Sequence, residues 1–163
     1  MQKALSIFLC LTLLISLTGC YFTYVNNEQS NVEDFFKAKE GGEKMETAKK
    51  LRIKAGEKVF TAEFYDNKAA AEVFDMLPME LDMKELHGNE KYFYFNSEFS
   101  SEEKSVKHIN KGDIMLYQDN CLVIFYKDFD TTYSYTRLGR ITDVDELEEA
   151  LGSGDIKVIF ETE

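Results

Sequence analysis

Two of the chain's three arginines, Arg137 and Arg140, stand in one stretch, Tyr133-Ser134-Tyr135-Thr136-Arg137-Leu138-Gly139-Arg140-Ile141. Read as a strand, it carries Tyr133, Tyr135 and Arg137 on one face and Ser134, Thr136, Leu138 and Arg140 on the other. A guanidinium beside two tyrosine rings, placed at the mouth of a barrel, offers a planar fork of donors for a ligand carboxylate or carbonyl. The plainer alternative is an ion pair to one of the many acids, with the tyrosines engaged in cross-strand packing. A second polar group follows the His87-Gly88 turn, where Asn89, Glu90 and Tyr92 fall within four residues. Its plainer alternative is turn chemistry with a solvated glutamate.

The remaining reactive residue types carry less. His87 and His108 are the chain's histidines, and neither has a second ligand at metal spacing, which argues against zinc. Asp128-Phe129-Asp130 falls short of the ligand set of a calcium loop and reads as a solvated loop. Cys121 opens an apolar run, as expected for a buried, inert thiol rather than a nucleophile. No Ser-His-Asp spacing, glycine-rich phosphate loop or nucleotide fingerprint occurs, so no catalytic residue, metal or cofactor is assigned.

The N-terminus carries a chemistry of its own. Met1-Gln2-Lys3 precedes an apolar run over Ala4–Leu17, too short for a stable span and matched to the core of a secretory signal. The run ends in Leu17-Thr18-Gly19-Cys20, which resembles the lipobox of bacterial lipoproteins. The resemblance implies cleavage after Gly19, a diacylglyceryl thioether on Cys20 and further acylation, for example by palmitate. Two or three acyl chains anchor where one would bind only transiently. The expected partner is therefore the lipid bilayer, and the expected place is the extracytoplasmic face of the cell membrane. An ordinary secretory signal with a chance cysteine is the alternative.

Charge bounds the other partners. With 30 acidic against 19 basic residues and a net charge of −11, the chain lacks the basic face that nucleic acid requires. Hydrophobic residues at 44% and aromatics at 13% exclude a disordered acidic tail. If Cys10 leaves with the signal and Cys20 is acylated, Cys121 has no internal partner, and packing rather than disulfides must stabilise the fold.

The elements that position these residues lie after a linker. Residues 1–19 read as the signal, 20–50 as lipidated N-terminus and flexible tether, and 51–163 as one domain. The tether mixes acids and lysines around Gly41-Gly42 without a sustained apolar period. Eight strands are expected beyond it, over 51–55, 59–65, 80–86, 91–95, 113–118, 121–127, 133–141 and 156–161. A helix over Lys68–Leu77 is capped by Asp66-Asn67 and stopped by Pro78, and a short helix runs from about Asp143 to Leu151. Residues 96–111 read as a polar, mobile loop, and Asp119-Asn120 as a two-residue turn with positive φ. Runs 114–117 and 121–126 are apolar on both faces, so their outer face must meet a helix or a partner. The whole suits a mainly β, closed eight-stranded antiparallel barrel with two short helices.

Gly112–Tyr117, Asp119–Tyr126, Tyr133–Ile141, Leu86–Tyr92 and Leu151–Asp155 together resemble the bacterial cyclophilin-like domain family. The resemblance spans 51–163 and implies the cyclophilin barrel. The Phe-His-Arg and Gln-Phe-Phe segments with which cyclophilins hold a prolyl bond do not occur. Three readings are open at this point. The barrel binds a small molecule, peptide or protein through Arg137, Tyr135, Tyr133, Asn89 and Tyr92; or it is a divergent peptidyl-prolyl isomerase acting on secreted proteins; or it is a structural protein with a filled barrel.

Overall fold

The computed structural model describes residues 47–163. The expected signal, the lipobox and the tether up to residue 46 lie outside the described residues. Leu51, Ile53 and Ala55 alternate with Arg52 and Lys54, and in β1 (Thr47–Ala55) the apolar set points inward. The same alternation builds β2 (Lys58–Tyr65), β3 (Met79–Leu86) and β4 (Glu90–Tyr94). Helix α1 (Lys68–Phe74) interrupts them after β2. Two short strands, β5 (Lys104–Ser105) and β6 (His108–Ile109), precede the hairpin of β7 (Asp113–Tyr117) and β8 (Cys121–Phe125). The chain ends with β9 (Phe129–Asp130), β10 (Ser134–Ile141), α2 (Leu147–Leu151) and β11 (Ile156–Thr162).

Eight strands run β2-β1-β11-β3-β4-β8-β7-β10, each antiparallel to its neighbours, and β10 pairs again with β2. That last pairing closes the barrel, as expected from the strand count. Closure depends on Gly139, because a Cβ there would lie 2.4 Å from the Glu63 carbonyl oxygen and 2.6 Å from Phe64 Cδ1. The interior is solid: Leu51, Phe64, Met83, Leu122 and Phe160 are among its fully buried side chains. Ala70 and Val73 of α1 and Leu147 and Leu151 of α2 join the same cluster.

Several elements differ from expectation. Strand β1 starts at Thr47, four residues before the expected boundary, because Lys49 and Lys50 pair with Phe64 and Glu63. Lys49 Nζ also lies 3.3 Å from Asp75 and 4.5 Å from the centre of the Phe74 ring. Helix α1 is capped by Asn67, whose side chain accepts from the Ala70 N–H at 2.9 Å. It ends at Phe74 rather than Leu77, since Met76 and Leu77 already donate three residues back in a tightened turn before Pro78. Helix α2 starts at Leu147, later than expected, after Glu146 at φ +61°. In the β7–β8 turn the residue with positive φ is Gln118, not Asp119 or Asn120.

The expected mobile loop over 96–111 is tied to the barrel. Glu72 accepts from Ser100 N–H and Oγ at 2.6 and 2.8 Å, and the buried Thr136 hydroxyl accepts from the Glu102 N–H at 2.8 Å. Its last residues form β6, which pairs with β9 through Ile109 opposite Phe129. This two-strand ladder, rather than a helix, packs on the outer face of β7 and β8. A second buried cluster results, made of Ile109, Met115, Cys121, Val123, Phe125 and Tyr135, outside the barrel wall.

Candidate functional site

Four neighbouring strands, β4-β8-β7-β10, present their outer side chains to one trench. The register fixes who stands opposite whom. Tyr94 faces Cys121 and Tyr92 faces Val123 across β4 and β8, while Tyr117 faces Cys121 across β7 and β8. Cys121 and Val123 therefore make the floor, with tyrosines on both sides. Tyr92 and Tyr94 pack edge to face at 5.7 Å; on the other side Tyr117 lies 6.0 Å from Tyr133 and 5.7 Å from Tyr135.

The segment 129–133 forms one rim. Phe129 packs on Phe125 at 5.6 Å, the Thr131 N–H donates to the Lys107 carbonyl at 2.8 Å, and Asp130 pairs with His108 at 2.7 Å. Asp128 accepts from the Lys111 N–H at 2.9 Å. Both loop aspartates thus serve the ladder that holds this rim. The opposite end comes from the β3–β4 turn, where His87 and Gly88 both take positive φ, as a tight hairpin turn requires.

The enclosed space is a cavity of about 660 Å³, within the range that holds a small organic ligand. Its lining includes Tyr92, Tyr94, Tyr117, Tyr133 and Tyr135, with Asn89, Glu90, Cys121 and Val123. Among the described residues, neither a lysine nor an arginine lines it. Burial, with the Glu85 charge nearby, raises the Glu90 carboxyl to about 7. Burial also raises Cys121 to about 11 and Tyr135 to about 12, so both stay protonated at neutral pH. The inert thiol expected at Cys121 fits this environment. The Oδ1 atom of Asn89 is closed off from solvent and has no hydrogen-bond partner among the described residues.

Of the five binding candidates read from the sequence, Tyr133, Tyr135, Asn89 and Tyr92 meet in this cavity. They meet on the outer wall, not at the barrel mouth, because the interior is filled. The fifth, Arg137, stands apart. It lies on the same outer face but opposite Met115, and its Nη1 is 3.5 Å from the buried Asp113 carboxylate. The ion-pair alternative describes its position.

Sequence reasoning left Glu90 open between a polar cluster with Asn89 and Tyr92 and a solvated turn glutamate, and it missed Lys91. Glu90 is a half-buried wall of the cavity. Lys91, next to it, is fully buried inside the barrel. Its Nζ donates to Glu85 and to the carbonyls of Gly152 and Gly154 at 2.9 and 2.7 Å, beneath α2. Burial alone would raise the Glu85 carboxyl; hydrogen bonds from Lys91 and Tyr126 outweigh it and hold the group below its ordinary value. The signal was present in the alternation, since Lys91 shares its strand face with Phe93 and the following Phe95. A lysine in an inward register needs buried acceptors.

Comparisons with known proteins bear on the fold. AF2241, a hypothetical protein from Archaeoglobus fulgidus, has a solution structure that superposes with a TM-score of 0.50 at 18% identity, over 75% of this chain and 99% of that one. McbB, solved in complex with tryptophan, superposes with a TM-score of 0.52 at 17% identity, over 69% of this chain and 44% of McbB. This chain therefore spans less than half of McbB. Such identities speak for the fold alone. No curated protein matches the sequence. The sequence profile of the cyclophilin-like family matches residues 53–161, from within β1 to within β11. A match over nearly the whole closed barrel places this chain in the cyclophilin-like family.

Proposed function

We propose that this protein is a membrane-held binding module, anchored by lipid on Cys20 at the extracytoplasmic face of the cell membrane. Its outer-wall cavity takes up a small organic molecule or the end of a peptide. The observation that carries the binding reading is a 660 Å³ cavity walled by five tyrosines and by the Glu90 carboxyl, which receives no hydrogen bond from the described residues. A carboxyl withdrawn from water without a donor is costly, and a bound molecule can offset that cost. Exposed apolar side chains point to the same place. Among the described residues, Leu86, Tyr94 and Tyr133 are three of the five large hydrophobics left exposed, and all three line the cavity. The isomerase reading gains nothing here, because the lining supplies no guanidinium to polarise a prolyl carbonyl.

The chain has no tryptophan and nine tyrosines, five of them in the cavity, so tyrosine emission reports on its occupancy. Aromatic fragments should change that emission saturably. Val123→Phe, which fills the floor, should abolish the response while cooperative melting persists; a response that survives would place binding elsewhere. For the anchor, membrane-extracted protein should carry acyl mass on Cys20, and Cys20→Ala should block maturation. Unmodified secreted protein would refute the anchor.

A further inference from the structure

We propose that the cavity selects organic cations, seating an ammonium group against Glu90 and the apolar remainder of the ligand among the tyrosines. This rests on the cavity being a binding site and adds the chemical class of what it takes. Three kinds of ligand can be weighed against the lining. An anion would meet Glu90 and Asp130 with no lysine or arginine to receive it. A neutral apolar molecule would fill the trench but leave the Glu90 carboxylate unserved. That carboxylate receives no hydrogen bond from the described residues. An ammonium group carries up to three donors and a positive charge, and so serves it. Tyrosine faces are electron-rich and attract cations, and five tyrosines surround the space. The net charge of −11 steers cations toward the protein and anions away.

Binding of this kind must release a proton near neutrality. Glu90 is held at about 7 by burial, with the Glu85 charge from β3 adding to it. The other groups facing the cavity are His87 in the β3–β4 turn, Tyr92 and Tyr94 on β4, Tyr117 on β7, Cys121 on β8, Asp130 on β9, and Tyr133 and Tyr135. The neighbouring Lys91 points into the barrel and is engaged with Glu85. A bound cation favours the ionised carboxylate, so affinity rises as pH rises through 7.

Three probes of one shape and different charge test this on the full-length mature protein in detergent: phenethylammonium, 2-phenylethanol and phenylacetate. With about nine heavy atoms each, they reach roughly millimolar affinity at best. At pH 8 phenethylammonium should bind at least about tenfold more tightly than 2-phenylethanol, with phenylacetate weakest. Between pH 8 and pH 6 the ammonium should weaken by about tenfold, the factor by which the ionised fraction of Glu90 falls over that interval. Glu90→Gln should remove both the charge preference and the pH dependence, so that phenethylammonium binds no more tightly than 2-phenylethanol. Equal or tighter binding of the alcohol or the acid would overturn the cation inference and leave the cavity standing as a site. Silence from all three at about 10 mM would overturn both readings. If Glu90→Gln does not fold, the charge series and pH profile of the unmodified protein decide alone.

Discussion

Glu90 and Lys91 are consecutive residues of β4, and the pleat of the strand sends them to opposite sides of the barrel wall. Both are ionisable and both are withdrawn from water, yet they are treated differently. Lys91 has three donors and three acceptors, and the Tyr126 ring lies 5.3 Å from its Nζ. The Glu90 carboxyl receives no hydrogen bond from the described residues and is raised to about 7. The difference separates two uses of buried polarity. A charge whose valences are all met within the chain joins β3, β4 and the end of α2 into one piece. One whose valences are left open stabilises nothing in the free protein, and waits for a partner from outside.

The largest expected effect is on the satisfied side. Lys91→Ala should lower unfolding free energy by about 3–5 kcal/mol, because it strands Glu85 and two backbone carbonyls beneath α2. Lys91→Met keeps the volume and should lose about 1–3 kcal/mol, the part due to unmet acceptors. Denaturant midpoints at constant slope measure both. If both variants lie within about 0.5 kcal/mol of the parent, the contrast with Glu90 collapses.

The unsatisfied side should behave oppositely. A carboxyl raised from 4.5 to about 7 on folding keeps its proton while the unfolded chain loses it. Its contribution to stability is therefore intact below pH 4.5 and is lost as pH rises toward 7. Glu90→Gln, which cannot ionise, should match the parent at pH 4 and exceed it at pH 8 by about 1–2 kcal/mol, the shift reduced by solvent screening of a half-buried group. Melting curves of both proteins across that range test it. A Gln variant less stable at pH 8 would mean that Glu90 has a structural partner after all.

The two sides were not equally legible. Strand-length apolar runs between turn residues located all eight barrel strands, their number suited a closed barrel, and period-two alternation set which side chains share a face. The same alternation assigned Tyr133, Tyr135 and Arg137 to one face, which is correct. It could not place them along the strand, and two residues are about 7 Å. Tyr135 therefore reaches the aromatic trench beside Tyr117, while Arg137, one step beyond, sits opposite Met115 at the bulge before Gly139. The sequence could not decide between the polar cluster and a solvated Glu90, because its cover comes from 129–133, held by β6 and β9. Strands of two residues carry no period to read, so the lid of the cavity was invisible even though four of its lining residues were named.

The smallest effect belongs to Arg137, and it tests whether the comparison extends beyond one strand. Its side chain is 31% exposed and its bond to Asp113, at 3.5 Å, is at the long limit of a hydrogen bond. Asp113 keeps two other donors if the arginine is lost, the Asn110 N–H at 3.0 Å and Nδ2 at 3.4 Å. It is therefore a satisfied acid that one donor can leave. Arg137→Ala should lower stability by about 1 kcal/mol, well short of the loss from a fully stranded buried charge. It should leave phenethylammonium binding unchanged, since the guanidinium is not part of the cavity lining. Thermal melts and tyrosine-emission titrations on this one variant read the two quantities separately. A loss of affinity with unchanged stability would return Arg137 to the binding site and overturn the division between satisfied and waiting charges.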